Sequence, residues 1–145
     1  MFDRRIEGWV TLDAILFEAI YTNNKTIEIQ VNPEFDSAQA TLEASTYAYE
    51  IGKLPAILIK DVETVWIHLG VKPFGGGNQN LLIHTGQGEL YIKDGILEET
   101  LVHEASHTSL DTEHASSPEW IVAQQKDGNY ISTYARDNSS REDIA

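Results

Sequence analysis

Within the stretch LVHEASHTSLD, three residues have types and spacing that can do chemistry together: His103, Glu104 and His107. On a helix, at ~100° per residue, positions four apart sit one turn above each other, so the two imidazoles share a face. Two nitrogens so placed can grip one divalent cation from the same side, and zinc favours such borderline-soft nitrogen and oxygen donors. Glu104 lies near enough to hydrogen-bond a water at that ion without binding the ion. A zinc ion held there would acidify the water and polarise a scissile carbonyl, while Glu104 would take the proton and deliver it to the leaving amine. The plainer alternative is a helix that carries two histidines along the border of the core.

A catalytic zinc needs a third protein ligand and an open fourth position. Near the motif the candidates are Asp111, Glu113 and His114. The metzincin spacing would need glycine at 110 and histidine at 113. This chain has Leu110 and Glu113, with His114 one place late, so that pattern is rejected. Asp111, one turn beyond His107, suits support of a histidine from behind better than ligation. Glu119 stands in the first turn of a later helix, where a carboxylate has a purely structural use. Farther along, TYARDNSSREDIA places Tyr134 and Glu142 where a new helix begins. Ser139 and Glu142 alone would make a capping box, which satisfies backbone N–H groups with no metal involved.

The same segment, taken with LEETLVHEASHTSLD, resembles zincin metallopeptidases of the gluzincin type. It resembles uncharacterised bacterial zinc-peptidase-like proteins and the catalytic domain of anthrax lethal factor. In that pattern a Tyr-x-Arg-x-Asn stretch precedes a Glu-x-x-Ala-Glu helix start. Tyr134, Arg136 and Asn138 match the first part; Glu142 and Ala145 match the second. One extra residue separates the tyrosine from the glutamate, so strict counting falls on Arg141, and the second acidic residue has no counterpart. The resemblance, which covers about the last third of the chain, implies a zinc cofactor held by His103, His107 and Glu142. It further implies Glu104 as general base, Tyr134 as a donor to the developing oxyanion, a peptide or protein substrate, and a secreted or extracellular setting.

The elements that must position these groups are legible in outline. TIEIQV (residues 26–31) alternates as a half-buried strand should, with Asn23-Asn24 as a turn and residues 14–20 as hairpin partner or, nearly as well, a helix. Asp36 or Ser37 caps a helix over 38–51 that Gly52 and Pro55 end. AILIK and VETVWIHL read as one or two strands, PFGGGNQ as a flexible loop, and NLLIHT with ELYIK as a strand pair about Gly86 and Gly88. Asp94 is the expected cap of the motif helix, with Glu98 and Glu99 in its first turn. His103 and His107 then fall in line with Ile96 and Thr100, flanked by Leu97, Leu101, Ala105 and Thr108. Ser117-Pro118 starts a further helix through Lys126, closed by Gly128. Strands with helices, then helices only, predict an α+β domain. His68 and His84 are expected to be packed or hydrogen-bonded. His84 holds a second interest, because in zincins an edge strand above the metal pairs with extended substrate. The FGGGN loop could border such a cleft, although a surface turn is the simpler expectation.

Composition frames this reading. The 145 residues, 41% hydrophobic and 23% charged, suit one globular domain over the whole length. No apolar run is long enough for a membrane-spanning helix. The first ten residues lack the basic-then-apolar pattern of an export signal, and the last turn reads as a helix cut short. Without cysteine there is neither a disulfide framework nor a thiolate ligand. The net charge is −13, and only Arg4 and Arg5 are adjacent basic residues, which argues against nucleic acid as a partner.

The expectation is therefore a zincin-like α+β domain, a small mixed sheet packed on the motif helix, that hydrolyses peptide bonds with zinc. Two other classes fit the residues: a binding or structural module that keeps the shape without turnover, and a zinc hydrolase of a non-peptide amide.

Overall fold

The computed structural model describes residues 1–130, 132–139 and 142. A two-stranded hairpin, β1 (Phe2–Asp3) and β2 (Gly8–Trp9), opens the chain. Then come β3 (Ile15–Ile20), β4 (Thr26–Val31), α1 (Ser37–Ile51), α2 (Ala56–Ile59), β5 (Thr64–His68), β6 (Gly75–Gly77) and β7 (Asn80–His84). Helices finish it: α3 (Thr85–Asp94), α4 (Leu97–Ser109), α5 (Asp111–His114), α6 (Pro118–Asp127) and α7 (Thr133–Asp137). The main sheet is mixed and five-stranded, in the order β3-β4-β5-β7-β6. Strands β4, β5 and β7 run parallel, while β3 and β6 run antiparallel at the two edges. No helix among the described residues is long and apolar enough to cross a membrane.

Register assigns each side chain to a face. Ile29, Val65, Leu81 and Gly76 form one cross-strand row, and Val31, Ile67 and Ile83 the next; the side chains in both rows are buried against the helices. The alternate row, Gln30, Trp66, Leu82 and Gly75, belongs to the outer face. The β1–β2 hairpin folds over that face, with Trp9 edge-on to Trp66 at 5.5 Å. Hydrophobic burial on the helix side is the main force joining the layers. In α1, Ala40, Ala44, Tyr47 and Ile51 supply the buried stripe at three- and four-residue spacing.

Several expectations hold. Residues 15–20 form the hairpin partner of β4, with Asn24 at φ 61° in the turn. Asp36 caps α1 by accepting from the Gln39 N–H at 2.8 Å. Ser117 caps α6, and Gly128 closes it at φ 66°. Gly52 ends α1 but with right-handed φ of −64°, and its lack of a side chain serves close contact with the Tyr21 ring instead.

Four local expectations fail. AILIK holds the single helical turn α2, with Leu58 and Ile59 buried; four apolar residues satisfy a strand or a helix pattern equally. ELYIK lies in α3, where Gly88 packs under Tyr47 and Tyr91 meets Phe74 edge-on, so anchors three residues apart outweigh a two-residue alternation. Asp94 ends α3 rather than capping α4; Gly95 takes the left-handed position, and α4 starts after Ile96 without a side-chain cap. Finally, Gly75–Gly77 form edge strand β6, joined to β7 by Asn78 and Gln79, both at positive φ. NLLIH is the interior strand and the glycines are the edge.

Candidate metal centre

The three glycines explain how the edge strand comes to lie on the motif helix. Gly76 faces α4, and a Cβ there would overlap the backbone carbonyl of Glu104. Only a residue without a side chain permits that approach. Thr108, one turn beyond Glu104, ties the two together. Its hydroxyl accepts from the Gly77 N–H at 2.8 Å and lies 3.1 Å from the carbonyl oxygens of both Asn80 and Glu104. The helix itself is fixed by Leu97, Leu101 and Ala105 in the core, with Ser109 donating to the Leu58 carbonyl at 2.6 Å.

His103 and His107 lie one turn apart as expected, with ring centroids 4.6 Å apart and planes crossed at 83°. Their Nε2 atoms face each other at 3.2 Å. A carboxylate oxygen of Glu142 completes a triangle, 3.5 Å from His103 Nε2 and 3.6 Å from His107 Nε2. His107 is buried and His103 half-exposed, so the triangle has one closed side and one open side. Tetrahedral zinc with bonds near 2.0–2.1 Å sets its ligand atoms about 3.3–3.5 Å apart. A point about 2 Å from all three atoms therefore exists. Two imidazoles and one carboxylate form a donor set that fits zinc and equally other first-row divalent ions.

Asp111 occupies the supporting place. Its Oδ2 is 3.0 Å from His107 Nδ1, and the break at Leu110 between α4 and α5 lets it turn back. With Nδ1–H donating to that carboxylate, the lone pair of Nε2 points into the triangle. Glu113 and His114 point elsewhere: Glu113 pairs with Lys60 at 2.8 Å on the surface, and His114 is more than half exposed beside it.

Glu142 reaches the histidines through the chain's last described turns. Ser132 caps α7, Asn138 ends it through bonds to the Tyr134 and Ala135 carbonyls, and the Glu142 N–H donates to the Asn138 carbonyl at 3.1 Å. Gln124 of α6 holds this turn by donating to the Ser139 carbonyl at 2.8 Å. Arg141, Ala145 and most of the helix expected over 139–145 lie outside the described residues. Tyr134 is exposed, and among the described residues its hydroxyl makes no hydrogen bond.

Glu104 borders a cleft formed with His103, Tyr91, Ile96, Glu99 and Thr100. Desolvation pushes its carboxyl above the ordinary value, and the adjacent imidazoles and Arg4 oppose that rise. Sequence reasoning missed Thr108 as a strut, Arg4 as a neighbour of the centre, and the second histidine cluster. There, His68 and His84 stack at 5.5 Å, fully buried, with Asp3 of the hairpin 4.0 and 3.9 Å away. The alternation of TVWIH and NLLIH puts both histidines on one face, but nothing in the pattern points to Asp3, 65 and 81 positions earlier. Comparison with family models, curated proteins and solved structures finds no match to this chain.

Proposed function

We propose that the chain is a zinc-dependent peptidase of zincin type, with His103, His107 and Glu142 as ligands. The observation that carries this reading is the triangle of two imidazole nitrogens and one carboxylate oxygen, with sides of 3.2, 3.5 and 3.6 Å. Zinc seated there supplies the Lewis acidity that lowers the pKa of water and polarises a carbonyl. The protein does the remaining work. Asp111 fixes the His107 tautomer, Glu104 accepts the proton from water and returns it to the leaving nitrogen, and Tyr134 donates to the developing oxyanion.

The sheet supports a peptide substrate over a small amide. Strand β6 has β7 on one side and, among the described residues, no strand on the other, and it lies directly on the helix that carries Glu104. An extended polypeptide can add to that free edge through main-chain hydrogen bonds, which brings its carbonyls past the motif. A mixed sheet whose edge strand borders the motif helix is also the arrangement that the zincin reading requires.

Zinc-loaded wild-type protein should cleave peptides, lose that activity to a chelator and regain it with added zinc. Glu104→Gln should keep its zinc while activity falls by about a hundredfold or more. Full activity in Glu104→Gln with zinc still bound would overturn the assignment.

A further inference from the structure

The outer face of the sheet, opposite the metal helix, holds a recess of about 300 Å³ beside the free edge of β6. Phe2, Trp9 and Trp66 wall it, with Arg4, Gly75 and Asn80 completing the lining toward β6. Trp9 stands edge-on to both other rings, at 5.8 Å from Phe2 and 5.5 Å from Trp66, so the walls are a packed aromatic set. Arg4 lies over Gly75, where an added Cβ would collide with its guanidinium.

Arg4 is the one charged residue among the described residues that line this recess. Arg4 is half-buried and gives one N–H to the Pro73 carbonyl at 3.2 Å, yet it forms no ion pair among the described residues. That is notable in a chain with 23 acidic and 10 basic residues. A cation at the rim of a concavity walled by aromatic rings suits an anionic group carried on a short apolar stem.

We propose that this recess is a subsite for a glutamate side chain of the polypeptide held along β6. The inference rests on the edge-strand reading above. Register places Gly76 in the row facing α4, and Gly75 and Gly77 in rows facing outward. A strand added to β6 repeats this alternation, so every second side chain lies over the outer face near Arg4. The two methylenes of glutamate lie along the indole and phenyl rings, and the carboxylate reaches the guanidinium. The protein's overall charge of −13 repels acidic peptides, so a preference for glutamate at one position must come from a local cation, and Arg4 supplies it.

The test has two arms. In the first, zinc-loaded protein digests a defined peptide mixture, and paired substrates that differ only as glutamate or glutamine at the enriched position are compared. The expected result is enrichment of glutamate at one position. The ratio of kcat/KM between the paired peptides should fall about tenfold in Arg4→Gln and be largely kept in Arg4→Lys. Cleavage with no glutamate enrichment, or with an unchanged ratio in Arg4→Gln, overturns the subsite and leaves the peptidase reading standing. In the second arm, Ala-Val hexapeptides with one glutamate, or one glutamine, scanned through their positions are titrated into zinc-loaded Glu104→Gln, read by fluorescence of the pocket tryptophans. Tighter binding of a glutamate peptide that Arg4→Gln abolishes supports the subsite even if no peptide is cleaved. Equal binding of both series, or none, overturns it.

Discussion

The Asp111 carboxylate lies 3.0 Å from His107 Nδ1, one turn along the chain and beyond the break at Leu110. That contact decides which imidazole nitrogen keeps its lone pair. Asp111→Asn removes the charge that holds the proton on Nδ1 and permits the wrong tautomer. Zinc affinity should fall by about 10–100-fold, as is usual when the carboxylate behind a metal-binding histidine is lost. Competition with a chromophoric chelator measures the change, and an affinity equal to wild type would show that the contact is only structural.

Glu142 and its rivals can be separated in the same assay. Glu142→Gln should weaken zinc binding by more than tenfold, because it replaces the one anionic donor of the triangle. Glu113→Gln should leave affinity unchanged, since that carboxylate is engaged with Lys60 on the surface. If the ranking is reversed, the third ligand is assigned to the wrong residue.

Gly76→Ala tests the contact between edge strand and motif helix. An added methyl meets the Glu104 carbonyl, so either β6 or α4 must shift. Overpacking of this kind costs about 1–3 kcal/mol. Chemical denaturation should show that loss, and peptide cleavage should fall with it because Glu104 is on the displaced turn. Undiminished stability would mean that the strand sits farther from the helix than described.

The second histidine cluster should make the fold acid-sensitive. Burial, and then the neighbouring His68, lower the His84 pKa from 6.5 to about 4, and burial also lowers that of His68. Both stay neutral in the fold at pH values where the unfolded chain takes up protons. Stability is therefore fully present above about pH 6.5 and declines as pH falls toward 4. Asp3, which faces both rings, is held at about 2 by Arg5 and adds a loss from 3.8 downward. Arg4, Arg5 and Glu34 complete the charged surroundings. His84→Leu should flatten the upper part of this decline by up to about 1.4 kcal/mol per pH unit. Thermal unfolding between pH 7 and 4 reads it, and a slope equal to wild type would contradict the account.

Those local rules which read neighbouring residues served well here. The hairpin about Asn24, the caps at Asp36 and Ser117, and the alternation of TIEIQV are set within a few positions. The spacing of His103 and His107 on one helix is also local, which is why two corners of the triangle were legible. Failures arose where a distant surface decides. Three glycines in a row look like a loop until α4 lies across them, and ELYIK looks like a strand until Gly88 and Tyr91 find Tyr47 and Phe74. Glu142 was reachable only through the family pattern, since nothing near it in the chain points back 35 positions to His107. The pairing of Asp3 with His68 and His84, and of Arg4 with the recess beside β6, depends on tertiary contact alone.

The most direct measurement is anomalous scattering on crystals of the zinc-loaded protein, recorded on both sides of the zinc absorption edge. A single strong peak is predicted about 2 Å from His103 Nε2, His107 Nε2 and a Glu142 carboxylate oxygen, and it should vanish below the edge. Crystals grown with zinc that show no such peak at the triangle, or an ion held elsewhere with the two imidazoles turned apart, would contradict the assignment.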